Sequence, residues 1–399
     1  MAALLTRTGW LNSPSGATPY LALAARYTSF TRADLDRAVF QEGTVAEVPA
    51  VRGTTMVVPV DDMWLALQAY QARHQVRVDD LLRKHRLMAR SALQTLEDVV
   101  RAVLAGRSFP AAVVERKVPT RLVRDLGRAG RRHGLASSVD LALWNLLAKG
   151  EVICRQVDRR LDRSRFEYVL RRDLIGPIVA ADVRARERDV FLGTLADRYF
   201  RWAGPARPRD FAWWADVKVP EARRAIHAMG LAAVRVKGLA GEWFLQPADR
   251  DGLLSFVPPE LPAVALIPFR DALTASRRSF EDLLAPRNRR RPVMVWGGKA
   301  VPAGEVGPAG AQHHFVIVGG RICGAWEHRG DGILKYATFH DLPDSIRRKL
   351  KNRARSMAKF VQRELGAARF FAGQTGDGFS LDRTSSAWSG LGASIDPRV

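Results

Sequence analysis

A chain of 399 residues, 47% of them hydrophobic, has material for two to four compact units, and no apolar run approaches the roughly 18 uninterrupted residues that a bilayer-spanning helix needs. The 63 Lys and Arg outnumber the 41 Asp and Glu and leave a net charge of +22. Such a field is best neutralised by a polyanion that sheds its counterions, so nucleic acid is the expected partner and a membrane is not.

Residues 1–62 read as a first unit. Tyr20, Leu21 and Ala24 mark one helix, and Thr31 with Asp34 three residues later marks the start of a second by the capping-box pattern. The stretches 44–48 and 55–60 then read as two strands around an Arg52-Gly53 turn. Residues 63–172 read as a connecting helix and a second unit. A basic helical stretch from 63 to about 90 leads to a helix that Ser91 caps, with Leu93, Leu96, Val100, Val103 and Leu104 on one face. Thr120 caps the next, running to Gly134, and Ser138 caps another that carries Leu141, Trp144 and Leu147 to Gly150. Strands over 151–157 and 165–170 enclose a turn, 158–163, that holds three arginines.

Residues 173–250 form the third unit. Phe191, Leu195, Tyr199 and Trp202 step at helical spacing, Gly204-Pro205 breaks the helix, and Pro208 begins another with Phe211 and Trp214. Pro220 opens a helix with Ala222, Ile226 and Met229 inward and Arg223, Arg224 and His227 outward, and strands at 234–237 and 242–245 close the unit. Helices followed by a basic hairpin describe a winged helix, whose wing lies along the phosphate backbone. Residues 251–365 change character, with strand-like runs at 264–268, 293–296, 314–318, 322–326 and 333–339 and a basic closing helix from 341. The expected fold class is therefore α+β: three tandem winged-helix units, a C-terminal β-rich domain with a closing helix, and a mobile tail over 366–399.

The outward Arg223, Arg224 and His227 sit where a recognition helix meets a major groove, and Arg159, Arg160 and Arg163 sit where a wing grips phosphates, with Arg52 at the tip of the first hairpin. An Arg-rich solvated face is the plainer reading of each. Trp214 reads as core, and Trp213 as core or as a stacking platform for a base. No GxxxxGK[ST] motif occurs, and Gly127-Arg-Ala-Gly130 lacks the strand and acidic partner of a dinucleotide site, so no nucleotide cofactor is expected. His313, His314 and His328 lack metal-ligand spacing, so no metal is expected either. Cys154 and Cys323 are too few for a disulfide framework, carry no CxxC spacing, and have no sign of an activating neighbour. With no export-type segment at the N-terminus, the expected setting is a reducing cytoplasm.

Three passages in order carry a family resemblance: Pro19-Tyr-Leu-Ala-Leu-Ala-Ala-Arg26 with Val51-Arg-Gly-Thr-Thr-Met-Val-Val-Pro59, then Leu195-Ala-Asp-Arg-Tyr-Phe-Arg-Trp-Ala-Gly-Pro205, then Gly319-Gly-Arg-Ile-Cys-Gly-Ala-Trp326. Over residues 10 to 365 the chain resembles the bacterial winged-helix DNA-binding domain family that includes the AlkZ/YcaQ-type crosslink-repair DNA glycosylases. The resemblance implies a concave double-stranded-DNA-binding surface made by tandem winged helices and the β-domain. It also implies a catalytic Gln-hydrophobic-Gln or Gln-hydrophobic-Asp element just before the Pro-Tyr-Leu helix, and counting back from Pro19 puts Asn12-Ser13-Pro14 there. Asn12 is one methylene shorter than Gln, and Pro14 supplies neither a side-chain acceptor nor a backbone donor. Three readings follow: a DNA-binding repair protein with lost or altered glycosylase chemistry, an active glycosylase of alkylated or crosslinked bases, and a transcriptional regulator. Asn12 is the candidate catalytic residue, with Asp271 the first carboxylate to consider if the count from Pro19 misplaces the site.

Overall fold

The computed structural model describes residues 1–13, 16–163, 165–295, 299–308, 313–328 and 333–366, together with 381, 385–386, 388–390 and 392–396. The chain divides into two units, one of Met1–Thr6 and Leu35–Thr194, the other of Arg7–Asp34 and Leu195–Val399.

In the first unit, strands Val45–Pro49 and Thr55–Pro59 pair antiparallel, with Pro49 opposite Thr55. The tight connection places Arg52 at φ 57 and Gly53 at φ 71, left-handed backbone that glycine adopts freely and arginine does not. Helix Met63–Asp79 follows and ends in a wider turn, Asp80–Lys84. Helix Arg90–Leu104 buries Leu93, Leu96, Val100 and Leu104, the stripe that 3.6-residue spacing predicts. Ala89 occupies its N-cap, so the expected Ser91 cap is a first-turn residue instead.

The helix expected from Thr120 to Gly134 does not form. A single 3₁₀ turn, Thr120–Leu122, and a short helix, Gly127–Arg131, stand in its place. Asp125 accepts the Gly127 amide at 2.7 Å, and Gly127 takes φ 56, so an acidic turn and a flexible residue stop propagation. The next cap is one residue off: Ser137 caps Ser138–Ala148 in a capping box with Asp140, while the Ser138 hydroxyl donates to Leu122 O. These helices share one apolar core with Leu141, Leu146 and Val152. Strands Val152–Gln156 and Phe166–Leu170 pair antiparallel, and Ser108–Phe109 adds a short third strand beside the latter.

In the second unit, helix Thr18–Ala24 begins with proline in its first turn, and Asp34 accepts from both the amide and the hydroxyl of Thr31 as the start pattern suggests. From Leu195 onward, helix Arg188–Ala203 supplies Tyr199 and Phe200 to an aromatic core with Phe211 of helix Pro208–Ala215. Trp214 is core, as expected: it packs against Trp10, Tyr199 and Trp202 with ring centroids 5.1–6.2 Å apart. Helix Val219–Ala228 turns Ala222, Ala225 and Ile226 inward. Met229, expected on that inner face, is 40% exposed because the helix ends one residue before it. Strands Ala232–Val234 and Trp243–Leu245 complete this part.

The remaining sheet has five antiparallel strands in the order Gly392–Ile395, Leu334–Thr338, Arg321–His328, His314–Val318, Val264–Ile267. The central Gly324 permits close strand approach, since a Cβ there would lie 2.1 Å from Ala337 O. The expected strand at 293–296 is Pro292–Val295, in a separate hairpin with Lys299–Pro302; Trp296 lies outside the described residues. Helix Asp344–Phe360 starts only after Pro343, which cannot donate to a preceding turn, and buries Ile346, Leu350, Ala354 and Met357. The tail expected to be mobile contributes Gly392–Ile395 to the sheet, and its Trp388 is buried against Phe339; most of its other residues lie outside those described.

Candidate nucleic-acid interface

The Asn12 neighbourhood is held by the segment between strand Val264–Ile267 and the short helix Ala272–Ala275. Asn12 is 4% exposed, and its Nδ2 donates to the Arg270 carbonyl at 3.0 Å. Arg270 adopts φ 55, with its guanidinium 5.1 Å from the Phe269 ring, and burial lowers its pKa. The next residue, Asp271, accepts from Leu273 N at 2.9 Å and from both Nη atoms of Arg26 at 2.7 Å. Its side chain is 0% exposed and that of Arg26 28%, and Arg26 also reaches Ala22 O. Burial works against the Arg26 charge, but the Asp271 carboxylate outweighs it and raises the guanidinium pKa. Asn12 and Arg26, which flank the Pro-Tyr-Leu helix, therefore clamp the two successive residues 270 and 271.

This geometry assigns chemical capacities. An asparagine amide fixed through its NH₂ keeps its oxygen as an acceptor, suited to orienting a water rather than to taking a full proton. Asp271 has both oxygens engaged by Arg26 and the Leu273 amide, which makes it a holder of the segment rather than a general base. Pro14, the last residue of the departing element, lies outside the described residues.

The cations singled out in the sequence are placed differently from one another. Arg223, Arg224 and His227 all lie exposed along helix Val219–Ala228. Arg223 Nη1 pairs with Glu242 at 3.1 Å, and the His227 ring meets the Phe244 edge at 6.3 Å. Arg159 and Arg163 are exposed in the second hairpin, Arg159 at φ 49 on the lip of a cavity of about 230 Å³ lined by Phe40, Ile153 and Ile178. Arg160 folds inward, donating to both oxygens of Asp162 at 2.8 and 2.6 Å, and the Asp162 side chain is 0% exposed. Arg52 is half-buried at its hairpin tip.

Other polar groups are structural. Burial brings the His313 pKa down to about 4 and that of His314 to about 3, and His314 accepts the Phe269 amide at 2.7 Å while stacking on Trp326. Burial pushes the Cys154 and Cys323 thiols up to about 12, so neither is a nucleophile at neutral pH. Among the described residues no group of three or more His, Cys, Asp or Glu is placed to hold a metal, and no helix is long and apolar enough to cross a membrane. Arg26 and Arg270 join the site without any motif that marks them as functional. Arg26 stands at the end of the Pro-Tyr-Leu passage, which is a signal in the sequence, whereas Arg270 carries none.

Helix pairs followed by short hairpins, an antiparallel sheet closed by a basic helix, and an amide clamped beside the Pro-Tyr-Leu helix define an α+β protein. The family profile described as "DNA glycosylase AlkZ-like" matches residues 5–360, and the chain belongs to that family. It shares its fold with the solved Streptomyces sahachiroi DNA glycosylase AlkZ, at a TM-score of 0.66 and 18% identity over 90% of each chain. No curated protein matches the chain.

Proposed function

We propose that this chain is a double-stranded-DNA-binding member of the AlkZ-like family that serves DNA repair in the bacterial cytoplasm, with its base-excision chemistry lost or altered. In this reading each helix pair and its hairpin is a winged helix, with bounds near residues 62, 172 and 250 and the β-rich domain running to 365. Arg223, Arg224 and His227 meet a groove, and Arg159, Arg163 and Arg52 meet phosphates; Arg160 reaches them only by leaving Asp162.

The observation that carries the altered-chemistry reading is the anchored Asn12 amide. Hydrolysis of an N-glycosidic bond needs a water held opposite the leaving base, and a cationic N7-alkyl purine already leaves readily, so position matters more than basicity. A short amide tied to Arg270 O keeps one acceptor, in place of the Gln pair that the resemblance implies. The test incubates the purified protein with duplexes carrying N7-alkylated or crosslinked purines and counts abasic sites. Binding without release above the spontaneous rate is the expected result. Robust release that Asn12→Ala abolishes would establish the rival reading, an active glycosylase in which this one acceptor suffices.

A further inference from the structure

We propose that the cleft between residues 24–30 and the C-terminal helix grips the phosphodiester backbone of a DNA strand, an inference that rests on the DNA-binding reading above. The cleft encloses about 210 Å³. Its cationic side is Arg353, Lys359 and Arg363, and its apolar wall is Leu266, Phe30 and Phe360, the two rings 5.9 Å apart. Among the described residues no carboxylate lines it. Just outside, Glu364 takes Arg363 Nε at 2.9 Å and the Arg32 amide at 3.2 Å, which leaves the Arg363 Nη atoms to the cleft. Among the described residues Arg353 and Lys359 have no ion-pair partner, although both are exposed. The Thr28 hydroxyl adds a neutral donor at the rim.

Charge on this helix is one-sided. Residues 344–365 carry eight Lys or Arg against Asp344 and Glu364, and each carboxylate is already paired with a neighbouring arginine. Cations without partners beside an apolar wall are poorly hydrated on one face, which strengthens any charge-assisted bond to a phosphate oxygen. The spacing chooses among anions. From Arg353 to Arg363 the helix climbs about 15 Å at 1.5 Å per residue, whereas a single phosphate engages donors within about 3 Å. Three cations strung along that rise suit successive phosphates of a strand better than one small anion. Arg348, Lys351 and Arg355, exposed on the same helix, extend the cationic track beyond the cleft.

The test is the salt dependence of duplex binding by the full chain. Each phosphate contact contributes about 0.9 to the log–log slope, so Arg353→Ala, Lys359→Ala and Arg363→Ala together should flatten it by about 2 to 3. Arg353→Lys should leave it unchanged. If the triple variant does not fold, Arg353→Ala alone should still flatten the slope by about 1. Duplex binding with an unaltered slope overturns the inference while leaving the DNA reading intact. So does loss of inorganic-phosphate protection, read by thermal shift, without any change in the duplex slope. Failure of the unaltered protein to bind duplex at all overturns the DNA reading and this inference with it.

Discussion

Arg26 and Arg353 belong to the same unit and carry the same guanidinium, yet their surroundings are opposite. Arg26 spends its charge on Asp271, a carboxylate removed from solvent, and through it fixes the segment that holds Asn12. Arg353 is exposed and, among the described residues, has no ion-pair partner. The first arrangement is a structural clamp whose partner would be stranded without it; the second contributes little to stability and keeps its charge for a ligand. A surplus of 22 cations therefore says less than the question of which cations already have an internal partner.

The comparison breaks first at Asp271. Asp271→Ala leaves Arg26 without its counter-charge and uncaps Ala272–Ala275, so we expect a loss of about 3–5 kcal/mol in urea unfolding. A loss under about 1 kcal/mol would show that the clamp is not a clamp. Next in size is a pH effect in the other unit. Burial holds the His74 pKa at about 4, and His74 Nε2 lies 2.9 Å from Asn145 Oδ1. A histidine kept neutral in the fold but titrating near 6.5 when unfolded contributes fully above about 6.5, and that contribution is lost as pH falls from there to about 4. The full loss is about 3 kcal/mol at 1.36 per unit. His313 and His314 act in the same direction. His74→Gln should flatten the acid limb measured by chemical denaturation at pH 7 and pH 4.5, and an unchanged limb would remove His74 from the account.

The smallest expected effect sharpens the contrast within one hairpin. Arg160→Ala strands the buried Asp162 and should cost about 1–3 kcal/mol, while Arg159→Ala and Arg163→Ala should each cost under about 0.5 kcal/mol. Equal losses at the three positions, measured by thermal melting, would mean that burial does not separate them.

Sequence legibility followed the range of the interaction. The stripe Leu93, Leu96, Val100 and Leu104 and the aromatic spacing around Tyr199 are local periodicities, and the helices lie where those residues put them. Caps slipped by one residue because Ser137 and Ser138 are equally good candidates until Asp140 reaches back to the N-cap amide. The Thr120–Gly134 helix failed because a single-face pattern ignores two glycines and an aspartate that favours a turn. Arg26 and Asp271 are 245 residues apart, and Asn12 and Arg270 are 258 apart, so no spacing rule connects them. Arg160 was misleading for a subtler reason: the pattern showed three arginines in a turn, but not that Asp162 points inward and takes one of them.

The strand Gly392–Ile395 has a practical consequence for anyone producing this protein. Its main chain covers Leu334–Thr338, whose Lys335 is the only charged side chain along that border. A truncation before Gly392 would bare those amides and carbonyls to solvent beside Tyr336, offering another copy a ready template for pairing. Removing this strand should therefore promote association between copies and precipitation, read as higher-mass species by size-exclusion chromatography.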